Sequence, residues 1–168
     1  PIPGFYVERP PIESLCYQIL LQPGALVRVK APALMGKTSL MARVLPQLAQ
    51  QGFRTAYLNL HYAETANYAD LNKFLKWFCI SVGQSLDKPN LLAEQWNENF
   101  STPKINCSEY FERNLLPLDN SALVLCLDKV ERIFPHPEVS SEFLGLLRAW
   151  HEQGSELQKW GNSQLPML

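Results

Sequence analysis

Apolar positions repeat along this chain with two different periods, and each change of period marks an element. Ile12, Leu15, Ile19 and Leu20 follow helix spacing and predict an N-terminal helix that stops at a Pro23-Gly24 turn. Leu26-Val27-Arg28-Val29-Lys30 predicts a first strand. Lys37 to Gln51 places Leu40, Val44, Leu45 and Leu48 on one helical face, with Pro46 expected to kink that helix and Gly52 to end it. Thr55-Ala56-Tyr57-Leu58-Asn59-Leu60 predicts a second strand, and Leu71, Phe74, Leu75, Phe78, Val82 and Leu86 predict a helix from Tyr68 to Leu86.

Between Asp87 and Cys107 the pattern turns polar, with Pro89 and Pro103, and reads as an insertion or connecting loop holding one short helix near Leu91 to Trp96. A helix from Ser108 to Leu116 then precedes the most apolar run, Ala122-Leu123-Val124-Leu125-Cys126-Leu127, which ends at Asp128 and predicts a buried parallel strand. Pro137 opens a last helix to His151, with Val139, Phe143, Leu146, Leu147 and Trp150 on one face. Strands alternating with helices predict an α/β fold with a mainly parallel central sheet.

Composition narrows this picture. A chain of 168 residues with 46% hydrophobic content supports one core and one domain. Its formal net charge of −1 gives no basic excess, so nucleic acid is not expected as a direct partner. Cys16, Cys79, Cys107 and Cys126 are widely separated and have neither zinc nor disulfide-framework spacing; Cys79 and Cys126 read as buried small hydrophobes in a reducing cytosol. His61, His136 and His151 are joined by no metal spacing, and the tryptophans read as packing anchors. No apolar run is long enough to span a bilayer and no signal peptide is evident, so a cytoplasmic location is expected. The chain begins with Pro1 rather than methionine, as expected of a segment from a longer protein.

Candidate chemistry is concentrated where the first strand gives way to a helix. Ala31-Pro32-Ala33-Leu34-Met35-Gly36-Lys37-Thr38-Ser39 matches a phosphate-binding loop at its chemical end, with Ala31 in place of the first glycine. Backbone N–H groups of Met35 to Ser39 would face phosphate oxygens at the positive end of the helix. Lys37 would reach the β and γ phosphates, and the Thr38 hydroxyl would sit on magnesium. Asp128 at the tip of an apolar strand is the matching metal residue, since ligands of open α/β sheets bind beyond the carboxyl ends of the strands. Its bland alternative is a turn or helix-cap aspartate. Hydrolysing members of this class usually carry glutamate next, but this chain has Lys129, which in its charged form is no base. Glu131 is a weak catalytic candidate and otherwise a surface or helix-start residue.

These pieces together resemble the AAA-like domain of bacterial multidomain proteins related to STAND and archaeal-type P-loop ATPases. The resemblance covers about Phe5 to Glu152 and is carried by Phe5-Tyr6-Val7-Glu8-Arg9-Pro10-Pro11-Ile12-Glu13, Val29-Lys30-Ala31-Pro32, Met35-Gly36-Lys37-Thr38-Ser39-Leu40, Tyr57-Leu58-Asn59-Leu60 and Gly145-Leu146-Leu147-Arg148-Ala149-Trp150-His151-Glu152. It implies a P-loop NTPase-like three-layer sandwich binding ATP and Mg2+, in which alanine at position 31 is usual. Val7 and Arg9 would frame the adenine or, alternatively, belong to an arm packed on the sheet. This sequence departs from the family at Ala33 and Leu34, where an Arg-Gln pair is usual, and at Lys129. It also departs beyond the Trp150 helix, where a further strand with a polar sensor residue is expected and Gly154 to Leu168 reads as none.

The expected organisation is a P-loop domain over residues 1–152 with a divergent tail over 153–168, truncated and incomplete at its C-terminal part. The missing strand would lie between the phosphate-loop strand and the Asp128 strand, leaving a gap that those strands close directly or that a partner fills. The expected function is an ATP-binding switch or regulatory module with weak or absent hydrolysis, working with a protein partner or fused domains, with oligomerisation open. An active ATPase and a non-catalytic protein-interaction remnant remain the alternatives.

Overall fold

Leu123–Asp128 forms strand β4, in which every residue is buried. A strand buried along its whole length must find hydrogen-bond partners on both edges, and the sheet is arranged around that demand. In the computed structural model, which describes residues 15–22, 25–32, 45–116 and 123–163, β1 (Leu15–Gln22), β2 (Ala25–Pro32) and β3 (Arg54–Asn59) join β4 in the order β2-β1-β4-β3. β3 pairs with β4 in parallel, from Arg54↔Leu123 to Asn59↔Asp128. β1 runs antiparallel to both of its neighbours, from Leu15↔Pro32 to Gln22↔Ala25 on one side and from Cys16↔Asp128 to Leu21↔Leu123 on the other.

This topology departs from the expected one at several points. Leu15 to Leu20 is a strand rather than part of a helix, because a nearly continuous apolar run satisfies a central strand as well as a helix and periodicity alone does not separate them. β1 and β2 form a hairpin with Gln22 facing Ala25, so the segment before Pro23-Gly24 ends as a strand and not as a helix; Pro23 and Gly24 themselves lie outside the described residues. The slot between β2 and β4 is filled by β1 from the same chain. The α/β class stands, but among the described residues only the β3–β4 pairing is parallel, so the sheet they form is not mainly parallel by pairing.

Helices pack against both faces. Residues 45–50 form α1; the kink expected at Pro46 involves the turn before Leu45, which lies outside the described residues. Leu45, Leu48 and Phe53 pack on Val124 and Cys126. The opposite face carries the main core, where Ala56, Leu58, Leu123, Leu125 and Leu127 meet α2 (Leu71–Ser85) and α5 (Pro137–Ser163). α2 begins where the Asp70 carboxylate accepts the N–H of Lys73 at 2.8 Å, and buries Phe74, Leu75, Phe78, Cys79 and Val82. Beyond its last residue Ser85 and cap Leu86, Asp87 has a φ of 57° that lets the Lys88 N–H donate back to the Gly83 carbonyl at 2.8 Å. Phe143 of α5 meets Phe74 and Phe78 edge to face, with centroids 5.0 and 4.9 Å apart.

The polar region after α2 is a folded connection. It holds α3 (Leu92–Gln95) and α4 (Pro103–Tyr110), which starts earlier than the expected Ser108 because the Thr102 hydroxyl accepts the Ile105 N–H and Pro103 opens the first turn. Asn106 is buried and satisfied at both ends of its amide, accepting from the Asn97 N–H at 3.1 Å and donating to the Asn97 carbonyl at 2.9 Å. A π-helical turn, Phe111–Leu115, continues from α4 with Phe111 and Leu115 in the core. Trp96 and Trp150 anchor packing, their indole N–H groups donating to Asn72 Oδ1 at 2.9 Å and Ser108 Oγ at 2.8 Å. α5 is longer than the predicted Pro137–His151 helix and runs unbroken to Ser163.

Phe143 is fully buried between α2 and α5, whereas Phe100 is 89% exposed. Phe143→Ala is therefore expected to cost about 3–5 kcal/mol, and Phe100→Ala to stay within about 0.5 kcal/mol. Urea denaturation midpoints of the two variants check this ordering.

Candidate functional site

Two successive antiparallel pairings restore direction, so β2, β4 and β3 all run the same way and end at one edge of the sheet. The register joins them in a single row, Ala31↔Cys16↔Asp128↔Asn59. With one strand between them, the backbones at Ala31 and Asp128 lie roughly 10 Å apart. The chain leaves β2 at Pro32 on the same edge at which β4 delivers Asp128.

Met35, Gly36, Lys37, Thr38 and Ser39 lie outside the described residues, as do Val7 and Arg9. The elements that flank the loop are described. α1, which follows it, covers Val124 and Cys126, and strand alternation puts Asp128 on that same face of β4. Thus the helix after the loop and the strand-tip carboxylate share a face.

Asp128 is 2% exposed. Tyr57, on the same face of neighbouring β3, donates its phenol O–H to Asp128 Oδ2 at 2.5 Å. Burial, followed by the negative charge of Asp128, pushes the Cys126 thiol up to about 12. Among the described residues no group of three His, Cys, Asp or Glu side chains could by itself cage a metal. A single buried carboxylate at a strand tip nevertheless fits Mg2+, which usually takes one or two carboxylates and completes its octahedron with waters and phosphate oxygens. Asp128 would hold that ion, which when bound would neutralise phosphate charge.

The chain turns sharply after Asp128. Lys129 adopts a left-handed conformation with φ 61°, and a 3₁₀ turn, Val130–Ile133, follows with Val130 and Ile133 buried. Glu131 lines a cavity of about 420 Å³ with Thr65, Tyr68, Arg132 and His136, and Asp128 is not among the residues lining it. There the Tyr68 and His136 rings stack with centroids 4.0 Å apart and planes 4° off parallel. The Tyr68 hydroxyl and Glu131 Oε1 are buried with no hydrogen-bond partner among the described residues. Burial pushes the Tyr68 phenol up, against the opposing charge of Arg132.

Sequence reasoning did not single out Tyr57. It stood only within Tyr57-Leu58-Asn59-Leu60, one of the segments carrying the resemblance, and in the alternation along β3, which puts Thr55, Tyr57 and Asn59 on the side opposite buried Ala56 and Leu58. A family model described as AAA-like domain matches residues 3–168. No curated protein and no solved structure matches the chain. No helix among the described residues is long and apolar enough to cross a membrane.

The Cys126 thiol generates a pH prediction. Its ordinary value is 9.0 and its folded value about 12. Between those limits the unfolded chain releases a proton that the folded chain keeps, so this contribution is complete below pH 9.0 and is lost as pH rises toward about 12. Cys126→Ala is expected to flatten the alkaline fall in stability over that window, measured by denaturant midpoints at successive pH values. A second expectation concerns the unpartnered Tyr68 hydroxyl: Tyr68→Phe should raise stability by about 1 kcal/mol, and a lowered thermal midpoint would show that the hydroxyl has a partner.

Proposed function

Because the chain belongs to the AAA-like domain family, we propose that it is an ATP-binding P-loop module acting as a nucleotide-dependent switch or regulatory unit, with weak or absent hydrolysis. The observation that carries this reading is the row Ala31↔Cys16↔Asp128↔Asn59, which ends β2, just before the candidate loop, at the same sheet edge as a buried strand-tip aspartate. In this reading Met35, Gly36, Lys37, Thr38 and Ser39 cradle the phosphates, Thr38 and Asp128 hold Mg2+, and Val7 and Arg9 frame the base. Helices on both faces of the sheet support a three-layer P-loop arrangement.

Impaired hydrolysis follows from the turn after β4. Lys129 occupies the position from which an acidic residue would activate water, and its left-handed backbone turns the chain away from the strand axis. Glu131 lines the cavity beside Tyr68 and His136, which does not include Asp128. Binding energy is thereby retained while the group that would deprotonate water is displaced. Such a module fits a role within a longer cytoplasmic protein, where fused domains or a protein partner read its nucleotide state.

Calorimetric titration with ATP, with and without Mg2+, tests the proposal. Wild type is expected to bind more tightly with Mg2+, and Lys37→Ala to weaken binding by at least about tenfold, or roughly 1.4 kcal/mol. Phosphate release should stay near the buffer rate for wild type. Absence of ATP binding, or binding indifferent to Lys37→Ala, overturns the reading.

A further inference from the structure

We infer that Tyr57 is a positioning residue for Asp128, fixing the carboxylate through which the module senses Mg2+ on its nucleotide; this rests on the nucleotide-binding reading above. The inference starts from position along the strands. Register sets Tyr57 opposite Cys126 and Asn59 opposite Asp128, so the Tyr57 ring must lean toward the strand tip for its hydroxyl to meet Asp128. It does so, and the phenol O–H donates to Oδ2 at 2.5 Å. Tyr57 remains 38% exposed while Asp128 is 2% exposed. A partly solvated tyrosine therefore reaches inward to a buried carboxylate.

Charge-assisted hydrogen bonds of this kind are short and directional. A donor on Oδ2 restricts rotation of the carboxylate about its own bond, which settles how the group faces the sheet edge. Mg2+ demands near-octahedral oxygen geometry and tolerates misplacement poorly, so orienting its carboxylate matters more than adding another ligand. The tyrosine is held as well. Its main-chain N–H, on the β3 edge, donates to Ser85 Oγ at 3.0 Å, and Ser85 is the last residue of α2. A continuous connection thus runs from the end of α2 through Tyr57 to Asp128.

Tyr57→Phe removes the donor and keeps the ring, so packing is preserved and the orientation of Asp128 is the property that changes. The experiment measures ATP affinity by calorimetry in saturating Mg2+ and in excess EDTA, and compares the two as a ratio. Tyr57→Phe is expected to lower the Mg2+-dependent gain in affinity by roughly tenfold or more, the usual effect of removing the partner of a metal ligand. Mg2+-free ATP affinity should change by less than about twofold, and Tyr57→Phe should add nothing further in an Asp128→Asn background. A merely structural role would lower the thermal midpoint without changing the ratio.

An unchanged ratio in Tyr57→Phe overturns the proposal. So does an increased ratio, which would mean that the phenol competes with the metal instead of orienting its ligand. Failure of wild type to bind ATP at all is a separate result: it removes the nucleotide-binding reading and this inference with it.

Discussion

Two-sided pairing of β4 is the constraint on which the rest of this structure depends. Leu123 to Asp128 is buried at every position, and any backbone N–H or C=O there without a partner would carry the full cost of desolvation. β3 supplies one edge in parallel and β1 the other in antiparallel. The choice of β1 explains how the slot between β2 and β4 is filled from within the described residues. Because β1 is joined to β2 through Pro23-Gly24, filling the slot also fixes the position of β2 and hence the point at which the chain leaves the sheet at Pro32.

Strand parity then sorts the chemistry. On one face of β4, Leu123, Leu125 and Leu127 meet α2 and α5 and make the core. On the other, Val124 and Cys126 lie under Leu45 and Leu48, and Asp128 follows in the same phase at the sheet edge. The raised Cys126 thiol is an electrostatic record of this order, since its causes are burial under the helix and the charge of the aspartate two positions along. Tyr57 shares the face from the neighbouring strand, which is why its hydroxyl can meet the carboxylate.

Much of this was legible in the sequence wherever one period dominated. The Leu123 to Leu127 run, the apolar stripe of α2 and the stripe of α5 identified their elements because each has a single way to bury its face. Leu15 to Gln22 did not, for two reasons. Its apolar residues satisfy either period, and its role as a strand comes from partners far away in sequence. Pro23-Gly24 carried the needed hint, but a two-residue link signals a hairpin only once the preceding segment is taken as a strand. The start of α4 is hidden because Thr102-Pro103, a cap followed by a first-turn proline, lies in a polar stretch with no apolar period of its own. At the site, Asp128 was legible from its place at the end of an apolar run, whereas Tyr57 was not, because a diagonal contact between strands depends on their register.

The turn after Asp128 shows why a carboxylate cannot be moved along the chain at no cost. Lys129 breaks the strand with a left-handed backbone, so residues beyond it no longer alternate with β4. Val130 and Ile133 are drawn into the core, which leaves Glu131 little choice of direction. Its carboxylate enters the cavity beside Tyr68 and His136, with one oxygen buried and without a hydrogen-bond partner among the described residues. Catalysis of proton transfer requires the base within hydrogen-bond reach of the proton it takes. Steric demands of the core therefore decide the fate of Glu131 before its chemistry is considered, and an acidic residue a few positions from a strand tip is not equivalent to one directly beside it.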